Sequence, residues 1–147
     1  MILIGFALVV GMGTDEGAYA SGVAICIARE KTGLVYTDVE YFLRHDSDPE
    51  TTGWDARRAA KQDHDAKYRG KPYCRGSADY LTEGGRFVVI KGGRTKDALG
   101  GSYTRLALGF GLTAEDALDD ALKVLGARDR SWIESEHGYS IVEQGTF

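Results

Sequence analysis

Cysteine is scarce in this chain: the 147 residues include only Cys26 and Cys74. Two cysteines are too few for a disulfide framework, and they lack the C-x-x-C spacing of a zinc site, so we predict no structural metal. The pair is compatible with one bridge formed in an oxidising compartment. It is equally compatible with two separate buried thiols, since a free cysteine packs as a small apolar side chain.

The chain also lacks an excess of basic charge and a long apolar run. Its 18 Lys and Arg residues are scattered and are outnumbered by 22 Asp and Glu, for a net charge of −4. A nucleic-acid surface needs a concentrated basic face, so we predict no nucleic-acid partner. The N-terminal apolar run, residues 2–13 (ILIGFALVVGMG), is shorter than the roughly 20 residues that cross a bilayer. We therefore predict no transmembrane span.

No group of residues has the spacing of a catalytic or metal site. The densest metal-compatible groups are residues 45–50 (HDSDPE) and 63–65 (DHD), and neither offers the ligand set of zinc or calcium. Cys74 could meet His64 or His137, but we expect Cys74 in a connecting stretch and His64 on a solvated helix face. We predict no catalytic residues, no metal and no cofactor.

Residues 9–22 (VVGMGTDEGAYASG) have three interpretations. They could end a cleaved secretion signal, although no Lys or Arg precedes the apolar run. They could bind a phosphate through Gly11, Gly13, Thr14 and Asp15, although the glycine spacing departs by one residue from the dinucleotide fingerprint. They could be a bend between strands at residues 2–10 and 21–29. Retention of residues 1–20 would favour the cytoplasm, and cleavage the periplasm or the exterior.

The first half of the chain predicts strands followed by a helix. Residues 21–29 and 34–42 are rich in β-branched and aromatic residues, and a turn separates them. Along the first of these strands Val23 and Ile25 point to one side and Ala24 and Cys26 to the other. An alanine-lined helix begins near a capping box at Thr52 and ends before residue 70, so it can lie closely on the Ala-Cys side.

The second half repeats this order. Residues 86–91 and 103–110 predict strands, Thr113 caps a helix with an alanine and leucine stripe, and residues 139–143 predict a last strand. We therefore predict an α+β fold with a largely antiparallel sheet of about six strands and two main helices on one face. We expect residues 1–147 to form a single domain of two half-repeats, about 20–82 and 83–147.

Four segments carry a family resemblance: GVAICIAREKTGLVY, YRGKPYC, GGRFVVIKGG and LALGFGLTAEDALDDAL. Over residues 20–126 the chain resembles a family of small, mostly exported bacterial domains of unknown function. These domains combine a Gly-x-Ala-Ile-Ala strand with an alanine-rich helix and a following cysteine. This chain departs from that pattern at the end of its second helix, where Leu125 and Gly126 replace the cysteine. The resemblance implies export and binding rather than catalysis.

Aromatic residues suggest where such a domain would bind. Tyr and Trp are enriched at protein interfaces because they bury area yet keep a polar tip. We assign Tyr19 and Trp132 to a candidate interface and expect Tyr36 and Trp54 to cover the core. The leading hypothesis is a non-enzymatic binding domain with a protein partner, such as an inhibitor or immunity-type protein of the bacterial envelope.

Two alternatives remain open at this point. One is an enzyme that holds a phosphate-bearing ligand with the glycine loop at residues 11–17. The other is a self-assembling subunit in which the apolar segment at residues 2–10 pairs with a neighbouring chain, as exposed strand edges readily do.

Overall fold

A computed structural model describes residues 22–46, 53–80, 84–96 and 99–147. The elements in chain order are β1 (Gly22–Thr32), β2 (Val35–Asp46), α1 (Gly53–Asp65), β3 (Tyr73–Gly76), a 3₁₀ helix (Ser77–Tyr80), β4 (Arg86–Gly92), β5 (Thr95–Lys96), β6 (Ser102–Tyr103), β7 (Leu106–Gly111), α2 (Ala114–Arg128), α3 (Glu134–His137) and β8 (Tyr139–Thr146). Within these ranges no helix combines the length and apolar character needed to cross a membrane.

The strands form antiparallel sheets, which confirms the predicted α+β class. Sheet A has the order β2-β1-β3, sheet B has the order β7-β4-β8, and β5 pairs with β6 in a small ribbon. The strands are thus divided among three sheets. The two main helices cover different sheets, because α1 packs on β1 and α2 packs on β7 and β4.

Each half of the chain follows one plan. Apart from the β5–β6 ribbon and the short α3 of the second half, the first strand is the centre of its sheet, the next strand pairs with one side of it, a main helix follows, and the strand after that helix pairs with the other side. β3 is this returning strand in the first half, so the expectation that Cys74 lies in a connecting stretch is wrong. Four residues next to Pro72 carry little strand signal of their own, and their pairing with β1 is a long-range contact.

The core lies between the two sheets. β1 turns Val23, Ile25 and Ile27 towards sheet B, where they meet the apolar face of β4 and β7 in a cluster that also contains Phe87, Val89, Leu106, Leu108, Phe110 and Phe147. Strand alternation puts Ala24 and Cys26 on the opposite face, against the alanines of α1. The resulting layer order is α1, sheet A, sheet B, α2.

Small residues set the close packing of both helices. Ala56 and Ala60 of α1 are buried on sheet A, as the alanine-lined face predicted. On sheet B, a Cβ at Gly109 would overlap the α2 backbone at Ala117 and Ala121. Gly109 therefore permits an approach that no larger residue allows.

A buried ion pair joins sheet A to α2 along the edge of β7 that faces away from β4. Asp38 of β2 has no exposed side-chain surface, and its carboxylate accepts hydrogen bonds from Arg128 Nη1 at 2.5 Å and from the Leu106 amide at 2.7 Å. Arg128 also donates to the Leu106 carbonyl at 2.6 Å and lies 3.9 Å from the Tyr73 ring centroid. Both charges are therefore paired and hydrogen-bonded, which burial requires.

A second pair repeats this arrangement further along β7. Arg75 of β3 donates to Asp120 of α2 at 2.9 Å and to the Leu108 carbonyl at 2.8 Å. Asp120 in turn accepts from the Phe110 amide at 3.0 Å. Side chains thus occupy the outward amide and carbonyl of Leu106, the carbonyl of Leu108 and the amide of Phe110, which makes this edge a poor template for another strand.

Three side chains differ from their sequence-based expectations. His64 was expected in solvent but is buried, with its ring stacked on Tyr68 and edge-on to Phe42. Tyr36 and Trp54 were expected to cover the core but are 47% and 56% exposed. His64 and Trp54 lie on α1, and Tyr36 lies on β2. Local sequence does not show which side of such a helix or strand another element will cover, so their exposure could not be predicted.

Candidate functional site

A concave surface centred on Thr104 is formed by three neighbouring recesses. Three cavities of about 450, 300 and 310 Å³ adjoin there, and Thr104 lines all of them. Lys91 is shared by the first two cavities, and Arg94 by the first and third. We call this continuous recess the Thr104 groove. Its size lies in the range of sites that accommodate small ligands or peptide side chains.

Two hydrogen bonds to the backbone of Thr104 hold the floor of the groove against sheet A. The Asp38 amide donates to the Thr104 carbonyl, and the Thr104 amide donates to Thr37 Oγ1, both at 3.1 Å. These bonds join β2 to the segment that enters β7, so the groove is formed where the two halves of the chain meet.

Two β-bulges turn exposed valines into the groove. The β1–β2 register shifts between Ala28 and Arg29, which leaves Val39 without a partner residue on β1. The β4–β8 register shifts in the same way and leaves Val142 unmatched. Both valines line the same 300 Å³ cavity and are 42% and 44% exposed. Bulges re-aim side chains and are common beside binding sites.

The apolar end of the groove, lined by Val39, Tyr41 and Val142, is fixed by one cross-sheet hydrogen bond. Tyr41 Oη donates to Glu143 Oε1 at 2.9 Å, which joins β2 to β8. Burial of the phenol, followed by its bond to the carboxylate, raises the pKa of Tyr41 to about 12. The phenol therefore stays protonated at neutral pH and acts as a donor.

The acidic side chains that line the groove already have partners of opposite charge. Asp38 is paired with Arg128. Glu40 accepts from Lys67 Nζ at 2.6 Å and from Tyr68 Oη at 3.1 Å, and the bond to the Lys67 ammonium is the main cause that lowers the pKa of Glu40. Neither carboxylate leaves much uncompensated negative charge at the groove.

The basic side chains at the polar end, Lys91 and Arg94, lack such partners. Both are exposed, and within the described residues neither forms an ion pair. Ser140 and His137 line the same end, and His137 Nδ1 accepts from the Ile133 amide at 2.8 Å. The chain carries a net charge of −4, yet this end of the groove presents two cations to solvent.

The glycines beside Lys91 do not form a phosphate-binding loop. The Gly92 amide donates to the Arg105 carbonyl at 2.8 Å, and the Gly93 amide donates to the Gly138 carbonyl at 3.0 Å. A phosphate loop needs free amides that point at the ligand. The polar end therefore offers side-chain cations rather than backbone donors.

A hairpin arm projects next to the groove. It comprises residues 29–37, the outer part of β1 and β2, and residues 29–34 are all exposed. Gly33 makes its turn with φ 67°, and Leu34 beside it is 68% exposed. The Arg29 guanidinium lies 5.2 Å from the Tyr36 ring centroid, and Arg105 donates to the Tyr36 carbonyl. The arm is thus exposed but held in place at its base.

Most of the residues predicted as sites from sequence lie elsewhere. Gly11, Gly13, Thr14, Asp15 and Tyr19 lie outside the described residues. Trp132 is partly buried against the α2 cluster, and its indole Nε1–H donates to the Gly138 carbonyl at 2.8 Å. Trp132 is thus close to the polar end of the groove, to which Gly138 contributes.

Cys26 and Cys74 are joined by a disulfide bond. The two residues are directly opposed on β1 and β3, with Cα atoms 4.2 Å apart, beneath the alanines of α1. Neither sulfur is a free thiol, so neither acts as a nucleophile in this state. In the described part of the chain no three His, Cys, Asp or Glu side chains are grouped so that they could hold a metal.

No family model, curated protein or solved structure matches this chain. Sequence reasoning missed the groove because its parts come from β2, β4, β8 and the segment before β7. The local sequence offers one weak signal. Val39 and Val142 are apolar residues at positions where the alternation of apolar and polar residues along β2 and β8 is interrupted.

Proposed function

We propose that this chain is a non-enzymatic binding domain that engages a protein partner through the hairpin arm and the Thr104 groove. The observation that carries the proposal is the position of the arm: its exposed Leu34 and Tyr36 stand on a braced hairpin directly beside a recess with two unpaired cations. Apolar and aromatic side chains on a preorganised support are the usual anchors of protein interfaces.

An inhibitor or immunity-type role in the bacterial envelope is the form of this function that we favour. The family resemblance implies export, and the Cys26–Cys74 disulfide supports it, because such bonds persist mainly in oxidising compartments. Inhibitors commonly present a projecting, rigid segment to their target, since preorganisation reduces the entropy lost on binding. The arm at residues 29–37 fits that description.

Site-specific photo-crosslinking tests the proposal. A photoreactive amino acid would replace Leu34 in one version of the protein and Lys123, an exposed residue of α2, in the control. We expect a discrete crosslink to one envelope protein from position 34 but not from position 123. With the captured protein purified, Leu34→Asp should weaken the complex at least about tenfold, as loss of a central apolar anchor does.

Other outcomes would decide against this function. Equal crosslinking from both positions, or an affinity that Leu34→Asp leaves unchanged, would contradict a role for the arm. A crosslink to a second copy of the chain, with a dimer seen by light scattering, would favour the self-assembly alternative instead.

A further inference from the structure

We infer that the Thr104 groove takes an acidic peptide segment, with carboxylates at Lys91 and Arg94 and an apolar side chain between Val39 and Val142. This inference rests on the proposed function, since it names the chemistry of the partner segment that would lie next to the hairpin arm.

The polar end of the groove carries an excess of positive charge. Asp38 and Glu40 are neutralised by Arg128 and Lys67. Glu143 keeps its charge but lies at the apolar end, where the Tyr41 hydroxyl donates to it. Lys91 and Arg94 are thus the two charges at the polar end that no acidic side chain of the described chain offsets. Complementarity requires an anion there.

The kind of anion follows from the donors that are available. The Gly92 and Gly93 amides are already bonded to the carbonyls of Arg105 and Gly138, so neither glycine offers its amide to a phosphate. Two side-chain cations, one on β4 and one in the segment between β4 and β5, suit separate carboxylates. An acidic peptide fits this pattern better than a nucleotide, which would need free amides or a stacking platform.

The apolar end shows that the ligand is more than an anion. Val39 and Val142 face one cavity of about 300 Å³ together with the buried Leu106. The two bulges expose these valines at the cost of regular pairing in β2 and β8. A side chain such as Leu would cover both valines, while acidic neighbours on the same segment would reach Lys91 and Arg94. A peptide with acidic and apolar residues satisfies both ends at once.

Fluorescence anisotropy with synthetic peptides tests this inference without the natural partner. The probe is a labelled peptide of alternating Glu and Leu, and its counterpart carries Gln in place of Glu. We expect the Glu peptide to bind at least about tenfold more tightly than the Gln peptide, and to weaken as salt is raised. In a separate NMR titration of the protein with the unlabelled Glu peptide, the amide resonances of residues 91, 94 and 104 should shift.

A pair of variants with equal net charge separates the groove from the overall charge. The double variant Lys91→Glu/Arg94→Glu reverses the charge of the two groove cations. The control Arg69→Glu/Lys123→Glu reverses the charge of two exposed cations outside the groove, Arg69 after α1 and Lys123 on α2. The first should abolish binding of the Glu peptide, and the second should leave it within about twofold of the original. Val142→Ser should weaken binding of the Glu-Leu peptide but not of a Glu-Ser peptide.

Three outcomes would overturn the inference. The first is no binding of the Glu peptide to the original protein at any soluble concentration. The second is an equal loss of binding in the two charge variants. The third is displacement of the labelled peptide by inorganic phosphate or a single-stranded oligonucleotide at a lower concentration than unlabelled Glu peptide requires. These failures are distinct from failure of the proposed function, because crosslinking at Leu34 reports on the arm and not on the groove.

Discussion

Reduction of the Cys26–Cys74 disulfide should lower the free energy of unfolding by several kilocalories per mole. The bond links residues 48 apart in the sequence and ties β3, a strand of four residues, to the centre of sheet A. A cross-link stabilises mainly by restricting the unfolded chain, and for a loop of this length the entropy model gives about 14 cal/mol/K, or about 4 kcal/mol at room temperature. Native domains have only about 5–15 kcal/mol in total.

Urea unfolding of three forms measures this effect. The oxidised protein, the protein reduced with a phosphine, and Cys26→Ala/Cys74→Ala would be compared by circular dichroism. Because the reduced form keeps both sulfur atoms, its difference from the oxidised form reports the cross-link alone. Its difference from the alanine variant reports packing beneath Ala56 and Ala60. We also expect a smaller urea dependence for the oxidised protein, whose cross-linked unfolded chain exposes less surface.

The reasoning fails if the oxidised and reduced proteins unfold at the same urea concentration. It fails equally if a thiol reagent titrates two free cysteines in protein purified from an oxidising compartment.

Three further perturbations test the packing and the groove. Arg128→Met leaves the buried Asp38 carboxylate without its counter-charge and should cost about 3–5 kcal/mol of unfolding free energy by urea denaturation. Gly109→Ala places a methyl group against the α2 backbone and should lower the free energy of unfolding by about 1–3 kcal/mol or more. At Gly126 an added methyl group meets no atom within 4 Å, so Gly126→Ala should raise the free energy of unfolding by about 0.5–1 kcal/mol in the same assay. Tyr41 has a folded-state pKa of about 12 against an ordinary value of 10, so it contributes stability that is fully present below pH 10 and is lost as the pH rises towards 12. Ultraviolet titration should show the late ionisation of its phenol, and the free energy of unfolding should fall over the same pH range. Tyr41→Phe should remove this part of the pH dependence.

Controls make these predictions specific. Arg44→Met breaks an ion pair with Asp63 on the exposed surface and should change stability by less than about 1 kcal/mol. An equal loss for Arg44→Met and Arg128→Met would show that burial of the Arg128 pair has no special effect. Equal stability of the two Gly→Ala variants would contradict the close approach of α2 to β7. A Tyr41 that ionises with the exposed tyrosines would contradict its burial and its bond to Glu143.

Local sequence was informative wherever a single element decides the pattern. Alternation along β1 placed Val23 and Ile25 on one face and Ala24 and Cys26 on the other, and both faces are buried as that alternation requires. Thr113 was recognisable as a helix cap because its hydroxyl can accept from an amide three residues later, and it accepts from the Asp116 amide. Such features depend on neighbours in sequence, so the α+β class and the half-repeat could be predicted.

Features that depend on distant partners could not be predicted. The division of the strands among sheets A and B and the β5–β6 ribbon, the return of β3 to β1 and the burial of His64 all require contacts between residues far apart in the chain. The second helix continues past Gly126 to Arg128, because the Arg128 guanidinium is held by Asp38 on the other half of the chain. Propensity alone would end the helix at the glycine.

The sequence by itself determined which segments become strands and helices and which faces of them are apolar, since periodicity and capping are local properties. Only the tertiary structure decided where the Thr104 groove lies. Lys91, Thr104 and the bulged Val39 and Val142 come from segments that no spacing rule connects, and they meet because two half-repeats pack sheet against sheet. Burial of apolar surface between the two sheets brings these residues together. This driving force depends on the area buried and not on how far apart the residues lie in the sequence.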